Sequence, residues 1–212
     1  ITITNNRLES QEALSSSRSL IYSSTTTDDS LSILNNHFHN GYYGIYLYGG
    51  DYEKRHIITG NIFTGNYHIG LYVRKFEGLT CVNNLFQALY TGDLDFYLYD
   101  GKGACTITHN RIYSDLTDIA LYIGSITNTS PTSSLFANNF IYKPGTASND
   151  AAVIENVSKI NIDFNSIYND RNHTSSAALY TNNLTTHNIR NNIFYSIAGP
   201  AYHNNGTLPT IH

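Results

Sequence analysis

Apolar and polar residues alternate along much of this chain with a period of two. Six segments share this alternation: Gly44-Ile45-Tyr46-Leu47-Tyr48, Gly70-Leu71-Tyr72-Val73-Arg74, Asp95-Phe96-Tyr97-Leu98-Tyr99, Ala120-Leu121-Tyr122-Ile123-Gly124, Ala152-Val153-Ile154-Glu155 and Ala178-Leu179-Tyr180-Thr181. A period of two indicates β-strands, because successive side chains of a strand point to opposite faces. No repeat contains a segment with the length and the periodicity of a helix. The pattern therefore predicts an all-β protein.

A second motif recurs between these strands and is centred on asparagine. Its copies are Ile3-Thr4-Asn5-Asn6-Arg7-Leu8, Ile33-Leu34-Asn35-Asn36-His37-Phe38, Ile58-Thr59-Gly60-Asn61-Ile62-Phe63, Cys81-Val82-Asn83-Asn84-Leu85-Phe86, Ile107-Thr108-His109-Asn110-Arg111-Ile112, Phe136-Ala137-Asn138-Asn139-Phe140-Ile141, Ile162-Asp163-Phe164-Asn165-Ser166-Ile167 and Ile189-Arg190-Asn191-Asn192-Ile193-Phe194. Consecutive copies lie 23 to 30 residues apart. A repeat of this length is typical of solenoids, whose stacked units share one core.

Each repeat holds three short strands, none of which can bury its apolar face alone. Stacked coils solve this problem, because each strand then pairs in parallel with the equivalent strand of its neighbour. We expect the key asparagines to lie about 4.8 Å apart, to adopt the left-handed backbone of a tight bend, and to bond one another in a ladder. The predicted ladder is Asn6, Asn36, Asn61, Asn84, Asn110, Asn139, Asn165 and Asn192.

The asparagine turns and the Tyr-bearing strands between them resemble the right-handed parallel β-helix of the pectate-lyase-like family. Three later segments are similar to repeats of secreted and surface-anchored bacterial β-helix proteins: Asn165-Ser166-Ile167-Tyr168, Ser175-Ser176-Ala177-Ala178-Leu179-Tyr180 and Arg190-Asn191-Asn192-Ile193-Phe194. A leucine-rich repeat also carries an asparagine ladder, but its leucine pattern and convex helix are missing here. The resemblance implies one right-handed parallel β-helix domain of about eight coils over residues 1–212, which we expect to be a segment of a longer secreted or surface protein.

Composition and charge exclude several classes of function. With 12 Lys and Arg against 16 Asp and Glu, the net charge is −4, and no basic run exceeds two residues. Little is available to neutralise a phosphate backbone, so nucleic-acid binding is not expected. No apolar segment is long enough to span a bilayer. Cys81 and Cys105 form neither a disulfide framework nor a metal motif, and their offset by two residues on adjacent strands predicts two buried free thiols.

Strand parity places a column of tyrosines on the outside of the solenoid. The predicted column is Tyr46, Tyr72, Tyr97, Tyr122 and Tyr180, interrupted by Ile154 and ended by His203, and a second outward column holds Tyr113, Tyr142, Tyr168 and Tyr195. Regularly spaced rings suit the recognition of a polysaccharide or of another protein surface. The alternative is structural, since Tyr has a high β-propensity and stacks on itself along a ladder.

Catalytic and metal-binding candidates are few. The resemblance to pectate-lyase-like enzymes directs attention to clustered acids and a base, for which the candidates are Asp93, Asp95, Asp100 and Arg74, with Ca²⁺ as the cofactor such acids would hold. Asp95 and Asp100 bracket one strand and are therefore expected at its opposite ends. His37 and His39 share a strand face, but the repeat places no third ligand beside them, so no metal site is predicted.

The predicted role is non-catalytic: an extracellular or cell-surface structural, adhesive or glycan-binding segment that uses the tyrosine-lined face. The alternative is a carbohydrate-active enzyme, either a polysaccharide lyase or a glycoside hydrolase. Parallel strand edges at the two ends predict end-to-end self-association or further β-helix coils beyond them.

Overall fold

The computed structural model describes residues 1–11, 18–24, 28–88, 94–115, 118–145, 149–206 and 210–211. Within these ranges the chain forms 24 β-strands and no α-helix. Each strand pairs in parallel with the equivalent strand of the next coil, as the repeat predicts. The fold is therefore a parallel β-helix with three sheets.

Sheet A begins each coil. Its strands are β1 (Thr2–Thr4), β4 (Ser32–Leu34), β7 (Ile57–Thr59), β10 (Thr80–Val82), β13 (Thr106–Thr108), β16 (Ser134–Ala137), β21 (Thr185–Arg190) and β24 (Thr210–Ile211). Sheet B follows the asparagine turn. Its strands are β2 (Arg7–Glu9), β5 (His37–His39), β8 (Ile62–Thr64), β11 (Leu85–Ala88), β14 (Arg111–Ser114), β17 (Phe140–Lys143), β19 (Ser166–Asn169) and β22 (Ile193–Ser196).

Sheet C contains the longest strands. They are β3 (Ile21–Ser24), β6 (Tyr43–Lys54), β9 (Ile69–Glu77), β12 (Leu94–Lys102), β15 (Ile119–Thr127), β20 (Leu179–Asn182) and β23 (Tyr202–Asn205). The long strand β18 (Ala152–Asp163) pairs within sheet C through its first half and within sheet A through its second half. The eight strands of sheet B are joined by about seven turns of the solenoid, slightly fewer than the expected eight coils.

The core is a set of apolar columns that run along the axis. In sheet B, Phe38, Phe63 and Phe86 are at most 1% exposed, and their rings stack with centroids 5.0 and 4.5 Å apart. Burial of one such side chain contributes about 1.5–3 kcal/mol. Because every coil adds a residue to each column, the apolar burial that no single repeat achieves is supplied by stacking.

The predicted asparagine ladder is present. From Asn6 to Asn165, each residue donates its backbone and side-chain N–H groups to Oδ1 of the ladder asparagine in the next coil, over 2.7 to 3.2 Å. The six inner members are at most 2% exposed. In each coil the ladder therefore satisfies one backbone donor and one side-chain donor inside the turn.

The expected backbone conformation was wrong by one residue. The left-handed conformation belongs to the residue before each ladder asparagine, namely Asn5, Asn35, Gly60, Asn83, His109, Asn138, Phe164 and Asn191, with φ from 54° to 69°. That residue makes the bend and points outward. The following asparagine can then direct its amide into the interior, where it meets its neighbours.

Both thiols are free and buried, as predicted. Cys81 is paired with Ile107, so Cys105 lies two residues before its cross-strand partner position. Burial raises the pKa of Cys81, and it raises the pKa of Cys105 to about 11. At neutral pH both side chains are protonated and act as apolar core residues.

The two ends of the solenoid differ. At the start, Ile1 is 75% exposed beside the outer edge of sheet A, whereas at the other end β24 covers part of β21. Ile193, on the last described strand of sheet B, is 56% exposed. Self-association through these ends stays a prediction.

Candidate functional site

Sheet C carries an ordered column of tyrosines on its outer face. Tyr22, Tyr46, Tyr72, Tyr97 and Tyr122 are in cross-strand register over five consecutive coils. Neighbouring ring centroids are 4.6 to 5.1 Å apart, with interplanar angles of 7° to 12°. We call these five residues the tyrosine column.

Stacking decides which part of each tyrosine meets solvent. The faces of the inner rings contact one another, so these residues present their edges and hydroxyl groups. Tyr22, at the end of the column, is 62% exposed and has one ring face without a column neighbour. Sugar rings lying flat on every tyrosine are therefore incompatible with this stack, whereas hydrogen bonds to a row of hydroxyl groups are compatible with it.

The predicted register was correct for all five tyrosines of the predicted column, but the interrupting residue was misassigned and Tyr22 was missed. Tyr180 lies in the same register but is separated from Tyr122 by Val153, and it contacts His203 edge-to-face at 5.2 Å. The interruption is thus Val153, and the assignment to Ile154 was wrong, because Ile154 pairs with the buried Ile123. Tyr22 was missed, although it follows an isoleucine as Tyr46 does.

Two hydroxyl groups of the column, those of Tyr97 and Tyr122, have a raised pKa and stay protonated at physiological pH. Burial first, and then neighbouring Tyr72 and Tyr99, raise the pKa of Tyr97 to about 12. Burial and the carboxylate of Glu155 raise the pKa of Tyr122, whose hydroxyl donates a hydrogen bond to that carboxylate. The ring of Tyr122 lies over Gly124, where a Cβ atom would meet the Tyr122 hydroxyl at 2.7 Å. Glycine is required there for this contact.

Another row of outward side chains on sheet C runs beside the tyrosine column. Tyr48, Arg74 and Tyr99 are in register two residues after the column tyrosines. The Arg74 guanidinium lies between the two rings, with its Cζ 5.1 Å from the Tyr48 centroid and 5.4 Å from the Tyr99 centroid. Cation–π contacts of this kind hold the guanidinium in place. Arg74 was a candidate from the sequence, and the second outward position of each strand was the available signal for its two aromatic neighbours.

An insertion in β6 adds a further aromatic residue to this region. The register of β6 shifts between Tyr48 and Glu53, and the intervening segment carries Tyr52. The Tyr52 hydroxyl donates to Asp100 Oδ1 over 2.8 Å, while Lys102 Nζ lies 3.6 Å from the Tyr52 ring centroid. The surface beside the tyrosine column therefore combines aromatic rings with fixed cationic groups.

The predicted catalytic candidates do not form one constellation. Asp93 lies outside the described residues. Arg74 Nε and Asp100 Oδ2 are 3.8 Å apart, and the two side chains are 36% and 28% exposed. Asp95, at the other end of β12, is only 6% exposed, and its charge acts on the buried Lys143. The expected separation of Asp95 and Asp100 is thus confirmed.

Arg74 is poorly suited to act as a general base. Burial opposes its charge, but the hydrogen bond with Tyr72 and the neighbouring acidic groups outweigh that effect, so the pKa of Arg74 is raised. A general base must be unprotonated near neutral pH so that it can accept a proton from the substrate. The geometry instead makes Arg74 a fixed cation that can bind a hydrogen-bond acceptor.

The tyrosines of sheet B are less ordered. Tyr113, Tyr142, Tyr168 and Tyr195 are in register as predicted, but Tyr168 and Tyr195 have centroids 6.1 Å apart and an interplanar angle of 42°. Tyr142 donates to Asp170, which raises the pKa of Tyr142 together with burial. The regular row of hydroxyl groups is a property of sheet C.

The described ranges contain neither a metal-binding cluster of three or more residues nor a membrane-spanning helix. Within them, no three His, Cys, Asp or Glu side chains gather in a group suited to a metal ion. That part of the chain also has no helix of sufficient length and apolar character to cross a membrane.

Comparison with known proteins identifies the fold family. Searches of curated proteins and of solved structures gave no significant match. The family described as the right handed beta helix region matches residues 1–144, which is more than half of the chain. With its parallel strands, its apolar columns and its asparagine ladder, this chain belongs to the right-handed β-helix family.

Proposed function

We propose that this β-helix is a non-catalytic binding module of the extracellular space or the cell surface, and that the outer face of sheet C holds an extended polysaccharide. The observation that carries the proposal is the tyrosine column, in which five hydroxyl-bearing rings repeat every 4.6 to 5.1 Å along sheet C. A sugar chain presents hydroxyl groups and C–H surface along its length. Tyrosine edges and hydroxyl groups complement both.

The row of Tyr48, Arg74 and Tyr99 beside the tyrosine column strengthens this proposal. Arg74, held between Tyr48 and Tyr99, adds strong hydrogen-bond donors beside the row of hydroxyl groups. Rigid side chains lose little conformational entropy when they bind, and stacking makes these side chains rigid. Weak contacts repeated along the axis then add up, so affinity should increase with the length of the sugar chain.

The alternative function, polysaccharide cleavage, has less support. Hydrolysis requires two carboxyl groups about 5 to 10 Å apart across the scissile bond, and Asp95 is buried at the end of β12 away from Asp100. A lyase would need a base, and the raised pKa of Arg74 disfavours that role. Binding requires neither group to change its protonation state.

A glycan array followed by calorimetry with oligosaccharides of increasing length tests the proposal. The double variant Tyr72→Thr/Tyr97→Thr keeps β-propensity and should abolish binding. The matched control is Tyr113→Thr/Tyr195→Thr, which removes two exposed tyrosines of sheet B and should bind like the unchanged protein. Absence of any ligand on the array, or equal loss in both double variants, would refute the role of the column. Turnover of a sugar chain that Arg74→Gln abolishes would favour the enzyme instead.

A further inference from the structure

Two histidines on the outer face of sheet B are held on the same side of one strand. His37 and His39 flank Phe38 in β5, and Phe38 is fully buried and stacked on Phe63. Because Phe38 is anchored in the core, strand parity directs both imidazoles outward. The sequence alone placed no third group beside them.

The structure adds the point at which the two imidazoles converge. Thr64, in register with His39 on the neighbouring strand β8, has its Oγ1 atom 2.8 Å from His37 Nε2 and 2.9 Å from His39 Nδ1. One nitrogen of each ring is therefore directed at the same hydroxyl oxygen. A metal ion bound at this point by two Zn–N bonds of about 2.0–2.1 Å would take the place of the Thr64 hydroxyl, whose side chain would have to rotate away.

The hydrogen-bond chemistry of this trio directs one imidazole lone pair at Thr64 Oγ1. A threonine hydroxyl has one hydrogen and can donate to only one ring nitrogen, so the other ring donates its N–H to Oγ1. One imidazole thus already directs a lone pair at the shared point. The other imidazole needs only to move its proton to its second nitrogen, a change of tautomer without a change of charge.

The charges around the pair permit a cation. Arg7, the nearest base on β2, is bridged by Glu9 with Arg7 Nη2 2.9 Å from Glu9 Oε2. Glu9 is in register with His39, so its carboxylate lies on the same side of the sheet.

We propose that His37 and His39 form a surface site for a divalent transition-metal ion such as Zn²⁺, with His37 Nε2 and His39 Nδ1 as its protein ligands. Imidazole nitrogen is a preferred ligand of Zn²⁺, Cu²⁺ and Ni²⁺. With two protein ligands, the remaining positions are taken by water or by a donor from another molecule. The site is therefore open, and its position on sheet B separates it from the tyrosine column.

Calorimetric titration of the metal-free protein with ZnCl₂, in a buffer that does not bind metals, tests this site. We expect one ion per chain. His37→Thr and His39→Thr should each lower the affinity at least tenfold, and the double variant should lose the site. Threonine keeps the β-propensity of the exposed positions, and circular dichroism checks the fold. The control His109→Asn/His203→Asn removes two other exposed histidines and should bind Zn²⁺ unchanged.

A second measurement needs no variant. Cu²⁺ added to the unchanged protein should give an electron paramagnetic resonance spectrum with coupling to two nitrogens. It should also broaden the imidazole NMR signals of His37 and His39 before those of the other histidines. Absence of binding, binding that survives the double variant, or equal loss in the control would each overturn the proposal.

Discussion

The Oδ1 atom of Asn110 accepts two hydrogen bonds from Asn84, one from the backbone N–H and one from the side-chain amide, each 3.0 Å long. The side-chain amide of Asn110 in turn donates to the Cys81 carbonyl and to Asn139 Oδ1. Every rung therefore depends on the next coil for its acceptor. The ladder has one direction along the axis, from the first coil towards the last.

This arrangement predicts a large effect of Asn110→Ala. The change removes the acceptor of two Asn84 donors in a site where both residues are at most 1% exposed. An unsatisfied buried polar group costs about 1–3 kcal/mol, so we expect the free energy of unfolding to fall by about 3 kcal/mol. Urea denaturation measures it.

The control for this prediction is Asn188→Ala. Asn188 donates one side-chain bond to Asn161 on the half-exposed outer surface, and its loss should change the free energy of unfolding by less than about 1 kcal/mol. Similar midpoints for Asn110→Ala and the unchanged protein would mean that the ladder bonds do not stabilise the fold.

Phe164 provides a second prediction, because it occupies a bend that suits asparagine or glycine. Its φ is 56° and its side chain is 58% exposed, whereas Asn138 and Asn191 fill the equivalent bends in the adjacent coils. The left-handed conformation costs a residue of this kind about 1–2 kcal/mol. We therefore expect Phe164→Asn to raise the free energy of unfolding by about 1 kcal/mol.

The reverse change is the matched test. Asn138→Phe puts an aromatic residue into the neighbouring bend and should lower the free energy of unfolding by a similar amount. If Phe164→Asn is destabilising, the exposed ring makes contacts that outweigh its backbone strain.

The fold could be predicted from the sequence because its determinants repeat. The spacing of the asparagines gives the length of each coil, and strand parity then determines which residues face inward. The bend was misplaced because most copies contain two adjacent asparagines, which fit either position. Gly60 before Asn61 was the available signal, since glycine favours a positive φ.

The candidate site was less predictable, because it depends on coil lengths and on contacts between side chains. Either Ala151 or Ala152 could be aligned with Ala120, and because Ala152 pairs with Leu121, Val153 and not Ile154 follows Tyr122. Strand parity does not determine the angle at which the rings stack. That angle decides whether the rings expose their faces or their edges. The convergence of His37 and His39 on Thr64 likewise depends on rotamers.

The buried cysteines predict slow thiol chemistry. Because burial raises the pKa of both groups, little thiolate forms at pH 8, and neither sulfur is accessible. We expect no reaction with Ellman's reagent in the folded protein and two thiols per chain after unfolding in urea. Rapid labelling of either cysteine in the folded protein, or an intact mass lower by two protons without reductant, would contradict this arrangement.

Lys143 predicts an unusual dependence of stability on pH. It is fully buried at the end of β17, and burial lowers its pKa from 10.5 to about 7, assisted by the charge of Arg171 and opposed by Asp95, Asp118 and Asp150. Between these two values the unfolded chain binds the proton that the folded chain has released. Stability should therefore increase as the pH rises from about 7 towards 10.5.

Lys143→Met isolates this contribution, because methionine fills a similar volume without a titratable group. Urea denaturation of both proteins at pH 7, 8 and 9 gives the difference in the free energy of unfolding at each pH, from which the ionisation of tyrosines and cysteines common to both proteins cancels. We expect the stability of the unchanged protein relative to Lys143→Met to increase by about 2 kcal/mol between pH 7 and 9. If the two pH profiles run parallel, Lys143 keeps its proton in the folded state. Its charge would then be compensated by the surrounding carboxylates, and its burial would not control the pH dependence.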